Sequence, residues 1–216
     1  MWSSEVTNMI ITGIWETLYM TLVSTLVGYV IGLPMGIILT VSDKDGIKPN
    51  AVLYKILDVI ANIVRSVPFI ILLVLLIPFT RLVVGKSYGS TATIVPLVIA
   101  AAPYIARMVE SSLKEVDAGV IEAARSMGAS NFTIITKVML VEARTSLLVG
   151  ATITLGTILG YSAMSGAVGG GGLGAIAIRY GYTRWQTDIM IVTVILLIIL
   201  FQIFQTVGMK LARSEE

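Results

Sequence analysis

The sequence contains no cysteine and no histidine. Disulfides, thiol nucleophiles and the common zinc sites are therefore excluded, as is the side chain that most readily moves protons near neutral pH. Charge is scarce too. Asp, Glu, Lys and Arg make up 13% of the chain, against about 25% in a soluble domain, while 56% of residues are hydrophobic. The mean hydropathy is +0.92. These values describe an all-α, polytopic membrane protein with no soluble domain. The net charge of +2 makes nucleic acid an unnatural partner. No carboxylates pair at membrane depth, because Glu16 and Asp188 stand at the ends of apolar stretches; a proton relay lacks its usual residues. Serines have no His or intramembrane Lys to activate them. No catalytic residue and no metal site is expected. The first stretch, MWSSEVTNMIITGIWE, has no Lys or Arg. A secretory signal needs a positive start, so the first apolar segment is expected to be a retained span.

Crossing about 30 Å of hydrocarbon takes about 20 apolar residues in a helix. Charged residues fence five uncharged candidates: 17–42, 66–80, 87–106, 145–178 and 189–209. The spans drawn from them are about 14–41, 66–84, 87–108, 145–165 and 188–209. Gly28, Gly32 and Gly36 form a small-residue stripe in the first, read as helix packing rather than a transport feature. Pro34 predicts a kink there. The second is short. Pro68 restarts its helix, and 58–64 is expected to be a half-buried helix or elbow before it. Arg65 is expected at the membrane edge, either snorkelling or bonded to Asp58 or Glu110. The 34 uncharged residues of 145–178 are too many for one helix. Gly166 and the run Gly169 to Gly174 should end it, leaving a non-helical loop or re-entrant segment.

Five spans put the chain ends on opposite sides. One side then holds Lys44, Lys48, Lys55, Arg65, Arg107, Lys114, Arg125, Lys137, Arg144, Lys210 and Arg213; the other holds Arg81, Lys86, Arg179 and Arg184. The excess of positive charge assigns the first side to the cytoplasm and the N-terminus to the outside.

The loop at about 109–144 contains the stretch EAARSMGASNFTIITKVMLV, Glu122 to Val141. A short helix over 120–127 should break at Gly128, with Ser130 capping a second helix from about Asn131. Glu122 and Arg125, three apart, can pair. Ala123 and Ala124 add no bulk, so another surface could approach. A surface hairpin would need no more than this. The pattern nevertheless resembles the coupling loop of ABC-importer permeases: Glu-Ala-Ala, three residues, Gly, nine residues, Ile, one residue, Leu-Pro. Glu122, Ala123, Ala124, Gly128 and Leu140 match; Val138 replaces the isoleucine and Val141 the proline. Gly169-x-Gly171-x-x-Gly174 fits a dinucleotide fingerprint as a string, but it follows a span and no βαβ unit surrounds it; no Gly-Lys-Ser/Thr follows either.

Beyond this loop, the chain resembles the permease subunits of methionine ABC importers from about residue 13 to 208. The resemblance is carried by GIWETL (13–18), RSVPFIILL (65–73), IPFTR (77–81), APYIARMVE (102–110) and GYSAMSGAVG (160–169). It implies a type I ABC-importer transmembrane domain of five helices, used as a homodimer in the inner membrane. It also implies an ABC ATPase dimer as partner, carrying ATP and Mg with no cofactor on this chain, and an extracellular methionine-binding protein or lipoprotein. Glu122, Ala123, Ala124, Arg125, Met127, Gly128 and Ala129 would couple to the ATPase. Tyr161, Ser162 and Met164 are the candidates for the translocation path and its gate. Tyr161 and Ser162 offer hydroxyls, and Met164 is a flexible apolar plug. The substrate would be L-methionine, its D-enantiomer included, with another amino acid or a quaternary amine as alternative. An ion-coupled carrier is disfavoured by the missing intramembrane charges and repeat. A structural membrane protein without a pore is the third reading, and a co-purifying ATPase would separate both from an importer.

Overall fold

A computed structural model describes residues 4–214. The first apolar stretch becomes α1 (Ser4–Ser42), which starts earlier than expected and runs unbroken through Pro34. Its partner is α5 (Ser90–Lys114), and the two form the most extensive helix pair in the molecule. The glycine stripe explains why. A Cβ added at Gly32 would lie 2.6 Å from the Ala102 carbonyl oxygen, and one at Gly36 would lie 2.6 Å from the Ala106 carbonyl and from Val109 Cβ. Only glycine lets these backbones approach so closely, so the packing reading of the stripe holds. Two of the buried threonines on α1 are satisfied by their own helix: Thr25 Oγ1 donates to the Thr21 carbonyl at 2.7 Å and Thr40 Oγ1 to that of Gly36 at 3.0 Å, whereas the buried hydroxyls of Thr21 and Ser24 have no protein partner among the described residues.

After the loop 43–50, α2 (Ala51–Ser66) begins with Asn50 as its cap, accepting from Leu53 N at 3.1 Å. It ends at Val67-Pro68, where α3 (Phe69–Leu75) restarts at a 102° bend. The α4 helix (Ile77–Val84) follows at once. Among the described residues, four helices are long and apolar enough to cross a membrane, and the bent pair α2–α3 makes five. The fivefold, all-helical architecture is thus as expected, but its second member differs. Counted as one, the bent pair covers 51–66 and 69–75 where 66–84 was expected, and Arg65 lies in the last turn of α2. Arg65, the fence of the 66–80 stretch, lies beside Tyr104 of α5, and Asp58 pairs with Arg107 of the same helix.

Beyond α5 come the short α6 (Ala118–Ser126) and α7 (Asn131–Thr133), a π-helical stretch Ile134–Met139, and α8 (Leu140–Glu142). The α9 helix (Arg144–Ser165) packs against both α5 and α1. The core between them holds Met20, Leu97, Ile105, Val109, Leu113 and Ile158.

The glycine run is not a plain loop. After one 3-10 turn (Gly166–Val168), α10 (Gly172–Ile176) and a π-helical stretch Ala177–Tyr182 fold back onto the end of α9. Gly172 has φ +78°, which favours glycine at the turn. Its N–H donates to Glu16 Oε2 at 2.6 Å, and the Leu173 N–H to Thr17 Oγ1 at 2.9 Å. The α1 side chains therefore cap the returning segment. The last helix, α11 (Thr187–Arg213), packs on α9, where a Cβ at Gly156 would meet Phe201 at 2.6 Å. Most of its apolar surface, including Ile191, Ile195 and Ile198, is exposed, as suits a lipid-facing helix.

Candidate coupling loop and elbow pocket

The loop folds as its local chemistry dictates. Asp117 caps α6 by accepting from Gly119 N at 2.7 Å. The helix ends at Met127, and Gly128 takes φ +81°. Ser130 then accepts from Thr133 N at 3.2 Å and opens α7. Val141 sits within a continuing helical run; no helix starts at the position where the motif has proline.

The named residues divide by exposure. Glu122, Ala123, Arg125, Met127 and Gly128 are exposed and Ala129 is half-buried. Met127 is 82% exposed and Phe132, unnoticed in the sequence, 76%. Two large apolar side chains at one turn form a surface that water does not favour. Ala124 faces inward, buried in the core with Ile134 and Met139, so it holds the loop to its own chain. The expected Glu122–Arg125 pair does not form. Arg125 Nη2 donates instead to the Ile47 carbonyl at 3.1 Å, tying α6 to the loop 43–50. Between them lies a cleft of ≈ 420 Å³ lined by Glu122, Arg125, Asp43, Asp45 and Lys114.

That cleft opens onto a charge network. Lys114 Nζ lies 2.6 Å from Asp43 and 2.8 Å from Glu110, and Arg107 lies 2.6 Å from Glu110. Arg107 also pairs with Asp58 and donates to Asn62 Oδ1 at 3.1 Å. Tyr54 donates to Glu110 at 3.2 Å. The hydrogen bond from the Lys114 ammonium holds the Asp43 carboxyl below the usual carboxylate range, against the opposing effect of burial. The cation at Asp58 and Glu110 is thus Arg107, not Arg65. The i, i+3, i+7 spacing of Arg107, Glu110 and Lys114 on one helix face, opposite Asp58 and Asn62, was the signal for it.

Arg65 points elsewhere, 6.0 Å from the centroid of the Tyr104 ring. It lines a pocket of ≈ 170 Å³ at the α2–α3 elbow with Tyr104 and Tyr161. Tyr161 stacks on Phe69, ring centroids 4.5 Å apart. Ser162 is buried and its hydroxyl donates to the Leu159 carbonyl at 2.8 Å, so it offers nothing outward. Met164 is 52% exposed. The three path candidates on α9 therefore do not converge: one lines the pocket, one is internal and one faces out.

Residues 32–209 match the family described as binding-protein-dependent transport system inner membrane component, and the chain belongs to that family. It is a multi-pass permease of the inner membrane, not an enzyme. It is 49% identical to the probable D-methionine transport system permease protein MetI of Vibrio cholerae, over 98% of this chain and 94% of the relative. It is 52% identical to the D-methionine transport system permease protein MetI of Escherichia coli, over 73% of each. Among solved structures, it is similar to a chain of the MetNI methionine ABC transporter in inward-facing form, with TM-score 0.98, 50% identity and full coverage of both. A chain of an amino acid ABC transporter shares the fold, with TM-score 0.80, 21% identity, and 97% and 95% coverage.

Proposed function

We propose that the chain is the permease of an ATP-driven importer of methionine, taking the L and D forms. The names of its relatives at 49–52% identity support the substrate. Two copies form the pathway, an ABC ATPase dimer docks beneath them, and an extracellular binding protein delivers the amino acid. ATP and Mg belong to the ATPase; this chain needs no cofactor. The charge asymmetry supports a cytoplasmic loop and C-terminus with the N-terminus outside.

The observation that carries the coupling role is the exposed turn: Glu122, Ala123, Met127, Gly128 and Phe132 on the outside, with Ala124 and Arg125 holding it to the chain. A partner seated there pushes on α6. Arg125 passes the push to the loop 43–50, and the Asp43–Lys114–Glu110–Arg107–Asp58 contacts pass it to α2. Closure of the ATPase pair thereby tilts the spans as linked bodies, which is alternating access by packed levers. Tyr161 faces the path, and Met164 gates it at the axis between the copies.

The test is reconstitution of the chain with its ATPase and binding protein in liposomes. ATP-dependent accumulation of both methionine enantiomers is expected, with Glu122→Lys lowering ATPase stoichiometry and uptake together. Uptake of a different amino acid with methionine excluded overturns the substrate; full docking and uptake in Glu122→Lys overturns the loop assignment.

A further inference from the structure

We propose that the groove between the end of α1 and the start of α2 holds an anionic phospholipid, with its headgroup on Lys48. On the topology proposed above, the lipid belongs to the cytoplasmic leaflet; the groove itself does not depend on that topology.

The loop 43–50 folds back onto α1. The Lys48 N–H donates to the Val41 carbonyl at 3.0 Å, and the Asn50 N–H to that of Ser42 at 2.9 Å. This leaves a groove of ≈ 300 Å³ walled by Ile37, Ile38, Val41, Leu53 and Ile135. Little polar chemistry faces into it. The Ser42 hydroxyl is spent on the Ile38 carbonyl at 2.6 Å, and the Asn50 side-chain oxygen on Leu53 N. Lys48 is exposed at one end, and no carboxylate lines the groove with it. The amino end of α2 lies beside it and also favours an anion. An apolar trough with positive charge at one end complements an acidic head on a hydrocarbon tail.

The length of the apolar surface decides between a lipid and a protein partner. Along α1 the groove continues over Ile38, Pro34, Ile31 and Val27, all exposed. Their spacing puts them on one helix face. Beyond Val27 the same face closes, with Val23 half-buried and Met20 fully buried. From Ile38 to Val27 a helix rises about 16 Å, roughly half of a hydrocarbon core of about 30 Å. That is the depth of one leaflet. It suits an acyl chain hanging from a phosphate at Lys48, whereas a partner helix crossing the membrane would need the track to run on. The loop that carries Lys48 also receives Arg125 at the Ile47 carbonyl, so the lipid braces the segment to which α6 is tied.

Because the native chain has no cysteine, a bimane fluorophore on Leu53→Cys reports on the groove, with Val41→Cys as a second reporter should the first fail to assemble. The permease–ATPase complex is placed in phosphatidylcholine nanodiscs containing a minor fraction of chain-brominated lipid, and the complex with the unmodified chain is the blank. Brominated phosphatidylglycerol is expected to quench the fluorophore several-fold more than the same amount of brominated phosphatidylcholine. Lys48→Gln should lower that preference about fivefold, the contribution of one lysine at an anionic surface, and Lys48→Arg should keep it. Lys44→Gln, at an exposed lysine outside the groove, should leave it unchanged. Equal quenching by the two lipids, an undiminished preference in Lys48→Gln, or an equal loss in Lys44→Gln overturns the assignment. So does silence to both lipids, which would mean that protein covers the groove. Labelling of Lys44→Cys by an impermeant maleimide from the outer face of right-side-out vesicles overturns the topology instead and leaves the groove standing.

Discussion

Two groups of charge lie along α2, and they are built on opposite terms. Toward its start, Arg107, Lys114, Asp43, Asp58 and Glu110 satisfy one another across three segments. At its end, Arg65 has two tyrosine rings for company and no anion. The first arrangement is closed and holds helices together; Arg65, exposed in the last turn of α2, needs no anion because its guanidinium reaches out of the fold.

The comparison breaks most visibly at Glu110, which is 5% exposed and serves two cations. Glu110→Ala should destabilise the complex by about 3 kcal/mol, read by thermal unfolding in detergent. A loss under about 0.5 kcal/mol would show that the cluster is no clamp. Gly32→Val overpacks the α1–α5 seam at the Ala102 carbonyl and should cost about 2 kcal/mol in the same assay, without touching any charge. Arg65→Gln should leave unfolding within about 0.5 kcal/mol; a large stability loss would place Arg65 with the structural charges. The smallest effect concerns Asp43. Its folded carboxyl titrates below the unfolded one, so its contribution is present above the usual carboxylate range of about 4 and is lost only as pH falls through its lowered value. Asp43→Asn should lower stability slightly at neutral pH, with the difference from the parent vanishing as pH falls through that lowered value, which flattens the acid limb.

Local rules made the coupling turn legible. Gly128 broke the helix and Ser130 capped the next one as their chemistry predicts, because neither depends on distant residues. The inward face of Ala124 was not legible, since an alanine carries no signal of which side is packed. The second span was misread for a definable reason. Arg65 bounds the uncharged stretch 66–80, whereas the bent pair α2–α3 runs on both sides of it, with Tyr104 of α5 beside its guanidinium. A charge marks the end of a span only when no neighbouring helix answers it, and that requires the fold. Ser162 is the converse: its hydroxyl suggested a pathway, but its own helix consumes it.

The bond from Gly172 to Glu16 joins residues 156 positions apart. Translation at about 5–20 residues per second separates the two by roughly eight to thirty seconds. Throughout that interval α1 is already made, while the Gly172 amide that will bond the Glu16 carboxylate does not exist. Glu16 has no amide from α10 until that segment is made. Biogenesis of this permease therefore closes like a clasp, with the opening segment fixed in place by nearly the last one synthesised.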